Sequence, residues 1–305
     1  MREFKINKND AGQRLDKFIL KAVKGMPMSL MYKAIRTKKI KVNRKRAEQK
    51  QMLIEGDIVQ MFLSEDLFSD KITDNELLTI KPQLDIVYED ENILIVNKEA
   101  GVVVHADEKG TKRTLIAMIQ SYLFENNEYN PETENTFRPA LCNRLDRNTG
   151  GLIIAAKNIK ALRCMNEGLK NSRVNKYYKA VTEGYPPQSG RLEGFTVRND
   201  KKTTIVKQEE KDSKNAVLDY NVISHKDGYS LLSVKLYTGR THQIRSQFSA
   251  EGFPLAGDIK YGGHSGKFKN SLWSVKLEFC FEKGSILEYL NEKTIEITAP
   301  FENEF

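Results

Sequence analysis

A chain of 305 residues is long enough for two domains, and its 39% hydrophobic and 30% charged residues are the mixture of a soluble globular protein. No run approaches the ~18 apolar residues that a membrane helix needs, which excludes a helical channel or transporter. The net charge of +8 is unevenly spread: residues 1–62 hold 16 Lys and Arg against 6 Asp and Glu, so the remainder is slightly acidic, as expected of a small polyanion-binding module beside a separate working domain.

Met1–Lys5 lacks the apolar core of a signal peptide, which predicts a cytoplasmic protein. Residues 12–24 predict an amphipathic helix, with Leu15, Phe18, Ile19 and Ala22 on one face and Arg14, Lys17, Lys21 and Lys24 on others. Gly25 and Pro27 end it. Ser29 is the expected N-cap of a second helix carrying Met31, Ala34 and Ile35. Ile40–Asn43 alternates as a short strand, Arg44-Lys45-Arg46 is a basic turn, and Gly56-Asp57 precedes a strand over Ile58–Leu63. Residues 64–82 are polar and acidic without sustained periodicity and are expected to form a linker.

The second domain is expected over residues 83–305. Asp85–Lys98 predicts strand, charged turn, strand, and Thr114–Leu123 a helix with Leu115, Met118, Ile119 and Tyr122 at helical spacing. Glu125–Glu134 predicts a mobile loop. A helix over Ile159–Leu169 follows, then strands over Tyr177–Thr182, Val217–Ile223 and Leu231–Tyr237, while Trp273, Leu277, Phe279 and Phe281 look like strand positions in a core. Many strands without regular strand–helix alternation predict an α+β fold with a mainly antiparallel sheet. Cys142, Cys164 and Cys280 are distant from one another and outside any CxxC pattern, so reduced thiols and no zinc site are expected.

Three segments carry candidate chemistry. In Arg144-Leu145-Asp146-Arg147-Asn148-Thr149-Gly150-Gly151 a charged, turn-prone loop runs into the apolar Leu152–Ala156. An acid on a polar loop next to a buried strand is where a catalytic carboxylate would be expected. In Lys176-Tyr177-Tyr178-Lys179-Ala180, one tyrosine faces the opposite side from the other, and either offers an aromatic surface for a base. Tyr237–Arg245, followed by Gly252, Pro254 and Gly257-Asp258, places Arg240, His242 and Arg245 around a turn and a short helix. His242 has no HxH or HxxxH partner for a metal and no nucleophile pattern for a hydrolase triad.

These three segments together resemble the RluA family of RNA pseudouridine synthases. The resemblance implies an α+β pseudouridine synthase fold and isomerisation of uridine to pseudouridine in RNA, without metal or cofactor. It places the catalytic residue at Asp146, the active-site tyrosine at Tyr178 and the active-site basic residue at Arg245, with Arg144, Arg147 and Arg240 as candidates for holding RNA. Two departures stand out: Cys142-Asn143 replaces the usual apolar residue and His, and Gly150 replaces a usual Ser. Asn143 hydrogen-bonds but does not titrate, so no proton transfer is expected there.

Residues 12–62 resemble the small RNA-binding module shared by a small-subunit ribosomal protein and tyrosyl-tRNA synthetases. Its implied RNA contacts are Arg14, Lys17, Arg36, Lys38, Lys39, Asn43 and Arg44, with Lys38 where a glycine is often found. The order basic module, linker, catalytic domain is typical of one branch of the family and implies large-subunit ribosomal RNA as substrate. The remaining readings are a transfer-RNA-specific synthase, a non-catalytic RNA-binding or ribosome-assembly factor, and a glycosidase-like hydrolase pairing Asp85 with Asp146. The expected partner is RNA, with no membrane and no nucleotide cofactor, and a monomer is the expected state.

Overall fold

The computed structural model describes residues 1–68, 79–106, 111–199, 202–269 and 271–305. Most of the expected linker therefore lies outside the described residues. The chain forms two compact units: residues 1–83, 116–140 and 156–162, and residues 84–115, 141–155 and 163–305.

In the first unit, helix α1 (Leu15–Ala22) and helix α2 (Met28–Arg36) accompany a four-stranded sheet of β1 (Arg2–Lys5), β4 (Ile58–Met61), β2 (Ile40–Val42) and β3 (Lys45–Arg46), in that order. Leu15, Phe18 and Ile19 of α1 are fully buried with Met31 and Ala34 of α2, the faces that the apolar spacing dictates. The N-cap of α2 is Pro27, not Ser29, and Ser29 lies inside the first turn. Pro27 sits at φ −62, ψ 139, and its carbonyl accepts the Met31 N–H, so the rigid ring caps the helix two residues before the hydroxyl position.

Lys38 adopts φ +60, the conformation a glycine would take, as the bonds Lys38 N–H to Ile35 O and Lys39 N–H to Ala34 O wrap the end of α2. A non-glycine residue in that region is strained by ~1–2 kcal/mol. Asn43 and Arg44, both at positive φ, make the two-residue turn between β2 and β3 that matches strand twist. Phe68 ends a 3₁₀ turn over Glu65–Phe68 and packs on Phe4, with the Arg2 guanidinium over its ring, so the apolar core reaches past residue 63.

The expected mobile loop 125–134 is a series of tight turns. Tyr129 is buried there, and Glu134 accepts hydrogen bonds from Asn7 and Asn9 at 3.0 and 2.8 Å. Asp10, fully buried, accepts from Asn135 and Thr136. These polar bonds pin the turn sequence to the basic module. Helix α3 (Leu115–Glu125) precedes it.

The second unit is built on a large sheet, eleven-stranded among the described residues. Its strands are β5 (Ile86–Glu89), β6 (Ile93–Lys98), β7 (Ala140–Leu141), β8 (Gly150–Ala156), β9 (Val174–Glu183), β10 (Ser189–Asn199), β11 (Lys202–Val206), β12 (Lys214–Lys226), β13 (Tyr229–Leu236), β14 (Leu272–Phe279) and β15 (Thr294–Glu296). The main path runs β11-β10-β12-β13-β9-β14-β8-β6-β5. The ladders β10–β11, β10–β12, β12–β13, β13–β9, β9–β14, β14–β15 and β5–β6 are antiparallel, and β14 pairs with β8 in a short parallel stretch. Every residue of β8 is buried, as its unbroken apolar run requires for a central strand. Trp273, Leu277 and Phe279 are buried on β14, whereas Phe281 is buried just beyond the strand. Helices α4 (Ile159–Lys170) and α5 (Gln243–Ala250) complete the elements.

Candidate active site

Asp146 lies on the loop between β7 and β8, with its carboxylate 23% exposed. The following Gly150-Gly151 explain how closely this loop approaches β14. A Cβ on Gly150 would collide with the ring of Trp273, and one on Gly151, at φ +106, would overlap the Ser274 backbone. Asn143, on the other side of the loop, accepts the Ile154 N–H at 2.8 Å and donates to Leu152 O at 3.2 Å. Its amide thus prolongs the strand pairing and anchors the loop, a task that needs no titrating group.

Arg245 comes from α5. Its Nη1 donates to Asp146 Oδ2 at 2.9 Å, while Nε and Nη2 donate to Asp258 at 2.7 and 2.9 Å. The ring of Tyr261 stacks beneath it at 4.9 Å. Burial disfavours the guanidinium charge, but the hydrogen bonds to Asp258 and Asp146 more than compensate, so its pKa is raised. Oδ1 of Asp146 has no hydrogen-bond partner among the described residues.

His242, immediately before α5, is held in a left-handed conformation (φ 55). Tyr261 Oη accepts the Thr203 N–H at 3.0 Å and is hydrogen-bonded to His242 Nδ1 at 2.8 Å. The other ring nitrogen, Nε2, faces Asp146 Oδ2 at 3.7 Å. Burial pushes the imidazole pKa down despite the nearby Asp146 carboxylate.

Tyr178, on β9, is buried opposite Ser274 on β14, and Tyr177 turns to the other face, where its hydroxyl donates to Glu278 at 2.8 Å. Burial first, and then the Asp146 charge, push the Tyr178 phenol up to about 12, against the pull of Ser274. It is a neutral phenol at working pH. Lys98, at the end of β6, is 1% exposed and donates to the carbonyls of Glu99, Val102 and Arg147 at 2.9, 3.2 and 3.0 Å. Its burial lowers the ammonium pKa to about 8, and the Asp146 charge opposes that fall. Lys98 therefore ties the Asp146 loop to the turn after β6 from below.

Asp146, Tyr178 and Arg245, distant in sequence, converge on one site. Arg144 and Arg147 are exposed on the Asp146 loop, with Arg147 Nε donating to Gly101 O at 3.2 Å. Arg240 is exposed before α5 and donates through Nε to Asn215 O at 2.9 Å. Asp85 accepts a hydrogen bond from Asn97 at 2.9 Å. Lys98, Asp258, His242 and Tyr261 carry no functional assignment in the sequence reading, although Gly257-Asp258 lies in one of its motifs.

In the first unit, Lys17, Arg36, Lys38, Lys39 and Arg44 are exposed. Arg14 is engaged by the buried Asp16, Nε to Oδ1 at 3.1 Å. Asn43 donates to Asp57 at 2.7 Å and accepts the Ile58 N–H at 2.8 Å, so its amide serves the module's own fold. No group of three or more His, Cys, Asp or Glu residues able to hold a metal occurs among the described residues, and no helix among them is long and apolar enough to cross a membrane.

A carboxylate fixed by an arginine beside a buried tyrosine, on a large antiparallel sheet, defines a site for acid–base or nucleophilic chemistry on an aromatic substrate. Comparison with known proteins makes this specific. Residues 92–250 match the family described as RNA pseudouridylate synthase. The chain is 34% identical to an uncharacterized RNA pseudouridine synthase of Mycoplasma capricolum over 97% of each chain. It is 30% identical to ribosomal large subunit pseudouridine synthase C of Haemophilus ducreyi, covering 98% of this chain and 92% of that one. The solved human RNA pseudouridylate synthase domain containing 1 is similar in fold, with TM-score 0.54 and 26% identity over 72% of this chain and 83% of that one. The chain belongs to the RNA pseudouridine synthase family, and it is an isomerase of uridine in RNA.

Proposed function

We propose that Asp146 is the catalytic residue and that the substrate is large-subunit ribosomal RNA. The single observation that carries the first part is the Arg245–Asp146 bond at 2.9 Å, which holds Oδ2 of the carboxylate while Oδ1 is left for substrate. The target uridine must leave its stack, at a cost of a few kcal/mol, before its sugar can reach this carboxylate. Asp146 then acts on the ribose, as nucleophile at C1′ or as base at C2′. The N1–C1′ bond breaks, the uracil turns, C5 bonds to C1′, and the C5 proton leaves.

Tyr178 supplies the stacking face, worth ~1–3 kcal/mol per base. Its neutral phenol supports this role over proton abstraction. Arg245 and Asp258 hold Asp146, and Arg144, Arg147 and Arg240 hold displaced backbone. Residues 1–63 serve as the RNA tether and 83–305 as the catalytic domain, with 64–82 connecting them.

Support for ribosomal RNA comes from the name of the Haemophilus ducreyi relative and from the basic charge of residues 1–62. The test is to incubate the protein with unmodified large-subunit ribosomal RNA and with unmodified transfer RNA, and to map pseudouridines by carbodiimide adducts and primer extension. New adducts in the ribosomal RNA alone are expected. Adducts confined to transfer RNA would reverse the substrate assignment.

A further inference from the structure

Lys98 and Lys176 are both withdrawn from solvent in the catalytic unit, yet they are held differently. Lys98 donates to three carbonyls. Lys176, half-buried on β9, has no acceptor and no carboxylate within bonding distance among the described residues. Its Nζ lies beside Gly239, the residue before Arg240, and after burial the Arg240 charge lowers the Lys176 pKa further. Arg240 is also without a carboxylate partner among the described residues, and its Nε bond to Asn215 O leaves both Nη groups clear of that anchor.

Two neighbouring cations without an anion repel each other, and such an arrangement is stabilised by an anion that sits between them. The surroundings suit that. Lys176 is two residues from Tyr178 on a strand without a bulge against β13, so both side chains lie on the active-site face. Gly239, next to Arg240, leaves the approach open: a Cβ there would stand 3.6 Å from Lys176 Nζ. By contrast, two other lysines beside β9 have carboxylate partners. Lys179 pairs with Glu302 at 3.1 Å and Lys276 with Glu278 at 2.7 Å.

We infer that Lys176 and Arg240 form a clamp for one phosphodiester group of the RNA strand beside the flipped uridine. The inference rests on the RNA isomerase activity and names a positioning contact for its substrate. The clamp sets where the backbone lies relative to Tyr178, and it takes no part in bond making.

The experiment measures binding of unmodified large-subunit ribosomal RNA between 50 and 200 mM salt, a range of roughly fourfold over which phosphate contacts are read out. Turnover is measured in parallel from tritium released from C5. Three variants are compared with wild type: Lys176→Met, Lys176→Arg and Gly239→Asp. The last leaves Lys176 in place and gives it a carboxylate partner at a position with room for a side chain. In Lys176→Met and Gly239→Asp, Kd should rise about fivefold and the log Kd–log salt slope should fall by about 0.7, the value of one phosphate contact on a single strand. Turnover at saturating RNA should stay within about twofold of wild type, and Lys176→Arg should restore both binding parameters. Unchanged Kd and slope in both Lys176→Met and Gly239→Asp would overturn the clamp. Inorganic phosphate that raises the melting temperature of wild type but not of Lys176→Met, with the RNA slope unchanged, would assign the pair to a small anion and also overturn it. Absence of tritium release from wild type would speak against the activity, and the binding slope would still decide the clamp.

Discussion

Arg245 gives Nε and Nη2 to the carboxylate of Asp258, and this fixes Nη1 on Asp146 at 2.9 Å. The planar guanidinium thus transmits the position of the Asp258 loop to the Asp146 loop, something an ammonium cannot do. Removing Arg245 strips the partner from two carboxylates that are 23% and 11% exposed. Arg245→Ala is expected to lose activity and to lower unfolding free energy by ~3–5 kcal/mol, the usual cost of breaking a buried pair. Asp258→Asn keeps the shape but removes a charge-assisted bond, so turnover should fall while stability drops by ~1.5–3 kcal/mol. Urea melts and turnover on RNA check both, and wild-type melting with full turnover in Arg245→Ala would refute the pairing.

Gly150 and Trp273 are a second matched pair. The indole fills the space that a side chain at residue 150 would occupy, and its Nε1 donates to Asn97 at 3.1 Å. Gly150→Ser should destabilise by ~1–3 kcal/mol, as overpacking does. Combined with Trp273→Leu, it should cost less than the sum of the two single changes. Additive losses in that double-mutant cycle would show that the two positions are independent.

Tyr178 gives a pH signature. Its folded pKa of about 12 lies above the ordinary 10.0, so the folded state holds a proton that the unfolded chain releases. The phenol's stabilising contribution is complete below pH 10 and is lost as pH rises towards 12, at about 1.4 kcal/mol per pH unit. Unfolding free energies of wild type and Tyr178→Phe should converge across that window, and a constant difference would contradict the burial argument. Tyr178→Leu should also weaken RNA binding by ~1–3 kcal/mol through lost stacking, whereas Tyr178→Phe should not.

The basic module is best tested by charge and not by deletion, because Asn7, Asn9 and Asp10 are bonded to Glu134, Asn135 and Thr136. Replacing Arg36, Lys38 and Lys39 together by Gln should leave turnover at saturation unchanged. The salt slope of RNA binding should fall by about 0.7 for each single-strand phosphate that is no longer neutralised. An unchanged slope would remove these residues from the RNA surface.

Much of this was legible in the sequence because the signals were periodic. The apolar faces of α1 and α2, the strand pair Ile86–Glu89 and Ile93–Lys98, and helix α5 all follow from spacing. The start of α2 did not, because Pro27 and Ser29 are rival caps and local geometry decides between them. Lys98 was hidden for a different reason. A lysine at the end of an apolar strand is normally taken as the solvated stop, and only the fold shows the three carbonyls that accept its protons. Asp258 lay within a motif, but its grip on Arg245 spans a turn and a helix end that spacing does not relate. The constraint on Gly150 comes from Trp273, 123 positions later, so no local reading could find it.

The central claim is that the Asp146 carboxylate performs the isomerisation. It is tested by incubating C5-tritiated, unmodified large-subunit ribosomal RNA with wild type and with Asp146→Asn, and counting tritium released to water. Release by wild type and none by Asp146→Asn is expected, with RNA affinity of the variant within a few fold of wild type. Release by Asp146→Asn at the wild-type rate would contradict it.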